Sequence, residues 1–146
     1  MVFQARMTTS DISVKRKYLD VPDLSCYPGE LQQVFTNLVS NALDALPKGG
    51  SLWVSVRPAH GGADWQRDGV RVTIADNGAG MDRNVRSRAF EPFVTTKRDT
   101  GTGLGLWLTK GIVDKHQGSI KIASAPGKGT AISIFFPHDG LNKAAA

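Results

Sequence analysis

Cysteine is almost missing from this 146-residue chain: Cys26 stands alone. A lone thiol excludes an internal disulfide and a cysteine-rich zinc site, and it suits a reducing compartment such as the cytoplasm. Long apolar runs are missing too. None approaches the roughly 20 residues that span a bilayer, and the N-terminus lacks the basic-then-apolar order of a signal peptide, so the chain is expected to be soluble and not embedded in a membrane. Nor is there a dense basic tract. The net charge of +5 comes from 18 Lys and Arg scattered among 13 Asp and Glu, which favours anions in general without marking a nucleic-acid partner. The two familiar glycine phosphate signatures are also absent, both G-x-x-x-x-G-K-[ST] and G-x-G-x-x-G after a strand.

What remains is an ordinary globular composition, 40% hydrophobic and 21% charged, long enough for one domain with a real core. We expect a lead-in over residues 1–9, a single domain over 10–138 and a tail over 139–146. The segment 30–46, "ELQQVFTNLVSNALDAL", places Leu31, Val34, Phe35, Leu38, Val39, Ala42, Leu43 and Leu46 on one helical face and stops at "PKGG". Residues 82–93 predict a short helix ended by Pro92, and "LGLWLTKGIVDKHQG" a second amphipathic helix closed by Gly118. Alternating segments predict strands at 11–18, 51–56, 69–76 and in the two arms around "PGKG", with "RPAHGGADWQRD" between two of them as a surface loop. This order predicts an α+β fold of two layers, a mixed and mostly antiparallel sheet covered on one face by about three helices.

Several residues are candidates for chemistry. Asn37 and Asn41 lie four apart on one helix, at the edge of its apolar stripe. They are either a pair of satisfied boundary amides or oxygen ligands for a hard cation such as Mg²⁺. Asp76 ends a predicted strand before "NGAGM". It is either a turn aspartate or a partly buried acceptor for a ligand amino group, with Gly78 and Gly80 letting that ligand lie against the main chain. Gly101, Gly103 and Gly105 occupy alternate positions before a helix, a loose backbone beside unpaired N–H groups where an anion can sit. Lys97 is either a phosphate contact or a solvated loop lysine. His60 and His138 have no acidic neighbours in a recognisable pattern, His116 sits near a helix C-terminus, and none of the three has the setting of a phosphoacceptor.

Taken together, "NLVSNALDAL", "DNGAGM", "FEPFVTTK", "GTGLGL" and "GKGT" follow in this order. The succession resembles the N, G1, F, G2 and G3 boxes of the histidine-kinase catalytic and ATP-binding domain, relatives of the gyrase, Hsp90 and MutL ATPases, over about residues 10–137. The flanking sequence resembles most the nitrogen-regulator-like sensor kinases. The resemblance implies the Bergerat ATP-binding fold, ATP and Mg²⁺ as cofactors, and roles for particular residues. Asn41 would hold Mg²⁺ at the phosphates, with Asn37 beside it, and Lys97 completes the catalytic set. Asp76 would accept the adenine amino group, and Gly78 and Gly80 would shape the adenine wall. Gly101, Thr102, Gly103, Leu104 and Gly105 would fold over the triphosphate, in a lid at about 94–102. Thr130, with Gly127 and Gly129, would orient Asp76 through a hydroxyl or a water. Phe90 and Phe93 are either lid anchors or core aromatics.

In the gyrase-like relatives a glutamate four residues before the metal-binding asparagine activates water. Asn37 stands there, and an amide is no general base at neutral pH. The resemblance therefore implies phosphoryl transfer rather than hydrolysis, to a histidine on a dimerisation domain expected outside this chain, and from there to an aspartate of a response regulator. A monomer is expected for the chain alone. A serine-directed anti-sigma-factor kinase of the same fold and a non-catalytic nucleotide-binding module are the alternatives.

Overall fold

The computed structural model describes residues 7–8, 10–21, 23–61, 67–92 and 105–140. Its elements run β1 (Ser13–Tyr18), α1 (Pro28–Ala45), β2 (Ser51–Gly61), β3 (Arg67–Asp76), α2 (Arg83–Ser87), α3 (Gly105–Lys115), β4 (Ser119–Ala125) and β5 (Gly129–Pro137). Helix α1 starts two residues before its apolar periodicity does, with Pro28 in the first turn, where a missing N–H costs nothing and the fixed φ suits the helix. It ends when Leu46 turns extended before Pro47, whose ring disfavours helical geometry in the preceding residue.

The strands form one sheet in the order β1-β2-β3-β5-β4, with β1 parallel to β2 and the other pairs antiparallel. The parallel pair is joined by α1, since such a pair needs a crossover rather than a hairpin. The register aligns Val54, Ile74, Ile132 and Ile122 in one row across four strands, and Val56, Val72, Ile134 and Ile120 in the next. Alternation puts both rows on one face. Leu31, Val34, Leu38 and Ala42 of α1 and Val113 of α3 join the same core. The layered α+β fold expected from the order of elements is the one observed.

Four details differ from expectation. The segment read as a loop at 57–68 is mostly ladder, pairing Arg57 with Arg71 through to Gly61 with Arg67. Pro58 is tolerated there because β1 has already ended opposite Val56, so among the described residues this part of β2 is a sheet edge where a missing donor faces no partner strand. The same ladder brings Asp68 within 2.5 Å of His60, both well exposed, giving that histidine an acidic neighbour that its sequence context does not. Helix α2 is only five residues long, because it has no apolar stripe to bury and the Ser87 hydroxyl donates back to the Asn84 carbonyl at 2.8 Å. Helix α3 closes through Gln117, which takes the positive φ of 60° where Gly118 was expected to end the helix.

His116 is nearly fully buried at 2% exposure. Its Nδ1 lies 2.8 Å from the Ile112 carbonyl, and its Nε2 accepts the Tyr27 N–H at 3.1 Å, so the ring proton sits on Nδ1. Tyr27 is the N-cap of α1, and the histidine thereby brackets the end of α3 to the start of α1. Lys115 pairs with Glu30 at 2.8 Å across the same junction.

The short α2 owes its start to Asp82, whose Oδ1 accepts the Val85 N–H at 2.8 Å. Asp82→Ala is expected to lower stability by about 1 kcal/mol, the usual value of an N-cap, measured by urea denaturation.

Candidate functional site

Asp76 is the last residue of β3, and its register with Thr130 and Leu52 sets it on the helix-covered face of the sheet. It is 8% exposed. Its Oδ1 accepts the Gly78 N–H at 2.8 Å. Burial pushes its carboxyl above the ordinary range, and backbone hydrogen bonds from Gly78 and Thr130 pull against that rise. No cation among the described residues compensates the charge. A buried carboxylate without a cationic partner is costly to keep charged, and the two backbone donors offset part of that cost.

The loop after Asp76 is clamped on three sides. Asn77 Oδ1 accepts the Ser51 N–H at 2.8 Å, Ala79 donates to the Ala45 carbonyl at 3.1 Å, and Gly127 donates to the Ala79 carbonyl at 2.7 Å. A Cβ at Gly78 would fall 2.4 Å from the Ala45 oxygen. Gly80 has φ of +71°, and a Cβ there would fall 2.0 Å from the Ala125 oxygen. Both glycines of "NGAGM" are thus required by close approach to the Ala45 and Ala125 backbone, a reason different from the ligand contact expected of them from the sequence.

Helix α1 supplies the second wall. Asn37, Asn41 and Ala45 stand at intervals of four, one above the other on a single stripe. The Ala45 end of the stripe touches the Asp76 loop, and the other end meets the first residue of α3. There Asn37 Nδ2 donates to the Gly105 carbonyl at 3.3 Å, while its Oδ1 accepts from Gln33 Nε2 at 3.0 Å. Asn41 lies alongside, its amide nitrogen 3.8 Å from where a Gly105 Cβ would be. That distance is ordinary contact, so Gly105 is not demanded by sterics in this conformation.

Thr130 sits across the ladder from Asp76, and its Oγ1 lies 2.8 Å from Ser124 Oγ. Phe90 is half-buried in the turn after α2, next to the buried Ala89. Phe93, Lys97, Gly101, Thr102, Gly103, Leu104 and the expected lid lie outside the described residues.

The tertiary structure thus sets Asp76, Gly78, Gly80 and Thr130 at the Ala45 end of the α1 stripe, and Gly105 beside Asn37 and Asn41 further along it. Two contributors escaped the sequence reading. The Ala45 carbonyl has no sequence signal, because any residue offers one. Ser124 had a usable signal, since a hairpin turning at "PGKG" pairs residue 124 with residue 130.

A sequence profile described as "Histidine kinase-, DNA gyrase B-, and HSP90-like ATPase" matches residues 26–140. Among curated relatives, sporulation kinase E of Bacillus subtilis is 35% identical over 137 residues, 93% of this chain and 18% of that protein. The sensory histidine kinase/phosphatase NtrB of Escherichia coli O157:H7 is 37% identical over 123 residues, 80% of this chain and 34% of NtrB. The chain therefore spans at most about a third of these relatives. Among solved structures, the catalytic domain of histidine kinase ThkA superposes with a TM-score of 0.76 at 26% identity, covering 94% of this chain and 87% of that one. With the profile matching most of the chain and the layered fold shared with a solved catalytic domain, the chain belongs to the histidine kinase-, DNA gyrase B- and HSP90-like ATPase family, as a catalytic domain of the histidine-kinase type.

Proposed function

We propose that this domain binds Mg-ATP between the α1 stripe and the Asp76 loop and donates the γ-phosphoryl group to a histidine on a separate dimerisation domain. From there the phosphoryl group passes to an aspartate of a response regulator, in the cytoplasm. The observation that supports this most is Asp76, a buried carboxylate with no cationic partner among the described residues, at the end of a strand and beside two obligatory glycines. An adenine amino group would add a further donor to this carboxylate. A guanine carbonyl in its place would face the carboxylate as a second acceptor, which favours ATP over GTP.

The donor set also fits Mg²⁺. The described residues hold no cluster of three or more His, Cys, Asp or Glu. An ion here would draw on phosphate and water oxygens with an amide oxygen from the protein, a donor set that suits Mg²⁺. Asn41 would be that ligand, and the ion would supply neutralisation of phosphate charge. Asn37 has its amide committed to Gly105 and Gln33, so it spaces the start of α3 from α1 and abstracts no proton from water. The chain's own contribution is to hold the nucleotide and aim its terminal phosphate, the main requirements of phosphoryl transfer.

The test is calorimetric titration with ADP and Mg²⁺, repeated with GDP, followed by ATP and a dimerisation domain added in trans. Selective ADP binding and an acid-labile phosphate on histidine are expected. Acid-stable phosphoserine on a partner would instead indicate the serine-kinase relative, and binding without transfer a non-catalytic module. Asn41→Ala is expected to lower ATP affinity several-fold in the presence of Mg²⁺ and to leave affinity measured in EDTA unchanged.

A further inference from the structure

We propose that Thr109 is a positioning residue for the phosphate end of the site: its hydroxyl and the Asn37 amide are alternative donors to the Gly105 carbonyl, and exchange between them releases the start of α3 when nucleotide enters. This rests on the reading of Asn37 and Asn41 as the wall that faces the phosphates. Thr109 lies on α3 one turn after Gly105 and is fully buried. Its Oγ1 has no hydrogen-bond partner among the described residues. A buried hydroxyl left unpaired is costly, and native structures leave few.

A helical threonine ordinarily returns its hydroxyl to the carbonyl three or four residues earlier. Neither bond is made here. Four residues before Thr109 stands Gly105, whose carbonyl oxygen has two lone pairs. One takes the Thr109 N–H of the helix ladder, and the other takes Asn37 Nδ2 at 3.3 Å, longer than most such bonds. The carbonyl is full, and the Thr109 hydroxyl goes without.

The same contact closes the site. A Cβ built on Gly105 would lie 3.8 Å from Asn41 Nδ2 and 4.0 Å from Asn37 Cγ, so a methyl group fills the gap and a phosphate group does not fit. Nucleotide binding must draw Gly105 away from the α1 stripe and break its bond to Asn37. That frees the second lone pair, and the Thr109 hydroxyl takes it. Thr109 thereby offsets part of the cost of opening, while Asn37 regains a proton that an anionic phosphate oxygen accepts more strongly than a neutral carbonyl does.

The experiment measures the melting temperature and the affinity for the non-hydrolysable analogue AMP-PNP with Mg²⁺, by calorimetry. The chains are wild type, Thr109→Val, Thr109→Ser, Asn37→Ala and the Asn37→Ala/Thr109→Val double variant. Thr109→Val removes the unpaired hydroxyl at nearly constant shape. It is expected to raise the melting temperature of the nucleotide-free chain by a few degrees and to weaken AMP-PNP binding about fivefold. The opposite signs are the signature, because a residue that only packs would lower both together. Thr109→Ser keeps the hydroxyl and is expected to bind AMP-PNP as the wild type does. In the Asn37→Ala background the carbonyl is open from the start, so adding Thr109→Val is expected to leave affinity unchanged. Unchanged affinity in Thr109→Val alone, a fall in both quantities, a loss of affinity in Thr109→Ser as large as in Thr109→Val, or additive losses in the double variant would each overturn the proposal. A wild-type chain that binds no nucleotide would overturn the site assignment itself, a result distinct from all of these.

Discussion

Asp76→Asn is expected to weaken ADP binding by about 1–3 kcal/mol while leaving the nucleotide-free fold as stable as before, or more stable, at neutral pH. The asparagine side chain keeps an oxygen for the Gly78 N–H, so the loop stays clamped. What it loses is the negative charge and the acceptor pair that meet the adenine amino group. The opposite sign on stability follows from burial. Because burial raises the Asp76 carboxyl, the folded chain holds this proton more tightly than the unfolded chain does. Folding is then linked to proton uptake, and the contribution of Asp76 to stability falls as pH rises from about 4, the ordinary Asp value, through the raised folded value. In Asp76→Asn that slope disappears. Urea denaturation of both chains across this window, with calorimetry at neutral pH, checks each half of the expectation. Equal affinity in the two chains would remove Asp76 from the pocket.

Gly80→Ala is expected to cost roughly 2–5 kcal/mol, the sum of a left-handed backbone imposed on alanine and an overpacked contact. With φ of +71° and a Cβ position 2.0 Å from the Ala125 carbonyl oxygen, the clash is against backbone that cannot rotate away. To relieve it, the loop must leave the hairpin, which breaks the Gly127 to Ala79 bond at 2.7 Å and the Met81 to Ser124 bond at 2.8 Å. The variant is therefore expected to lose ADP binding beyond what its lower stability explains, since Asp76 and Gly78 lie on the same loop. Chemical denaturation gives the first quantity, and titration at a temperature where the variant is folded gives the second. By contrast, Gly105→Ala meets only ordinary contacts at Asn37 and Asn41 and is expected to leave the fold intact.

The fold was legible because its main elements announce themselves locally. The apolar stripe of 30–46 makes a helix wherever it is placed, and the even-numbered apolar residues of β2, β3 and β5 choose one sheet face before any partner is known. The extension of β2 past Pro58 was not legible, because a proline and two glycines are turn signals unless one knows that the neighbouring strand has already ended. Burial of His116 was hidden for a similar reason. Its partner Tyr27 lies 89 residues away, and a polar residue near a helix end is solvated by default.

For the site, the sequence by itself determined the residue types and their order. Asparagines four apart in one helix share a face, Asp76 closes an alternating strand segment, and the glycines after it mark a turn open to close approach. Only the tertiary structure decided which of these act together. The Ala45 carbonyl seats the Asp76 loop on α1, the Asn37 amide joins α1 to α3, and Ser124 couples Met81 to Thr130. Each of these is a hydrogen bond between residues more than 30 apart in the chain, or set by the register of paired strands. Local propensity fixes the direction in which a side chain points from its own element, but the distance to a group on another element exists only once the core has closed and the ladders are in register.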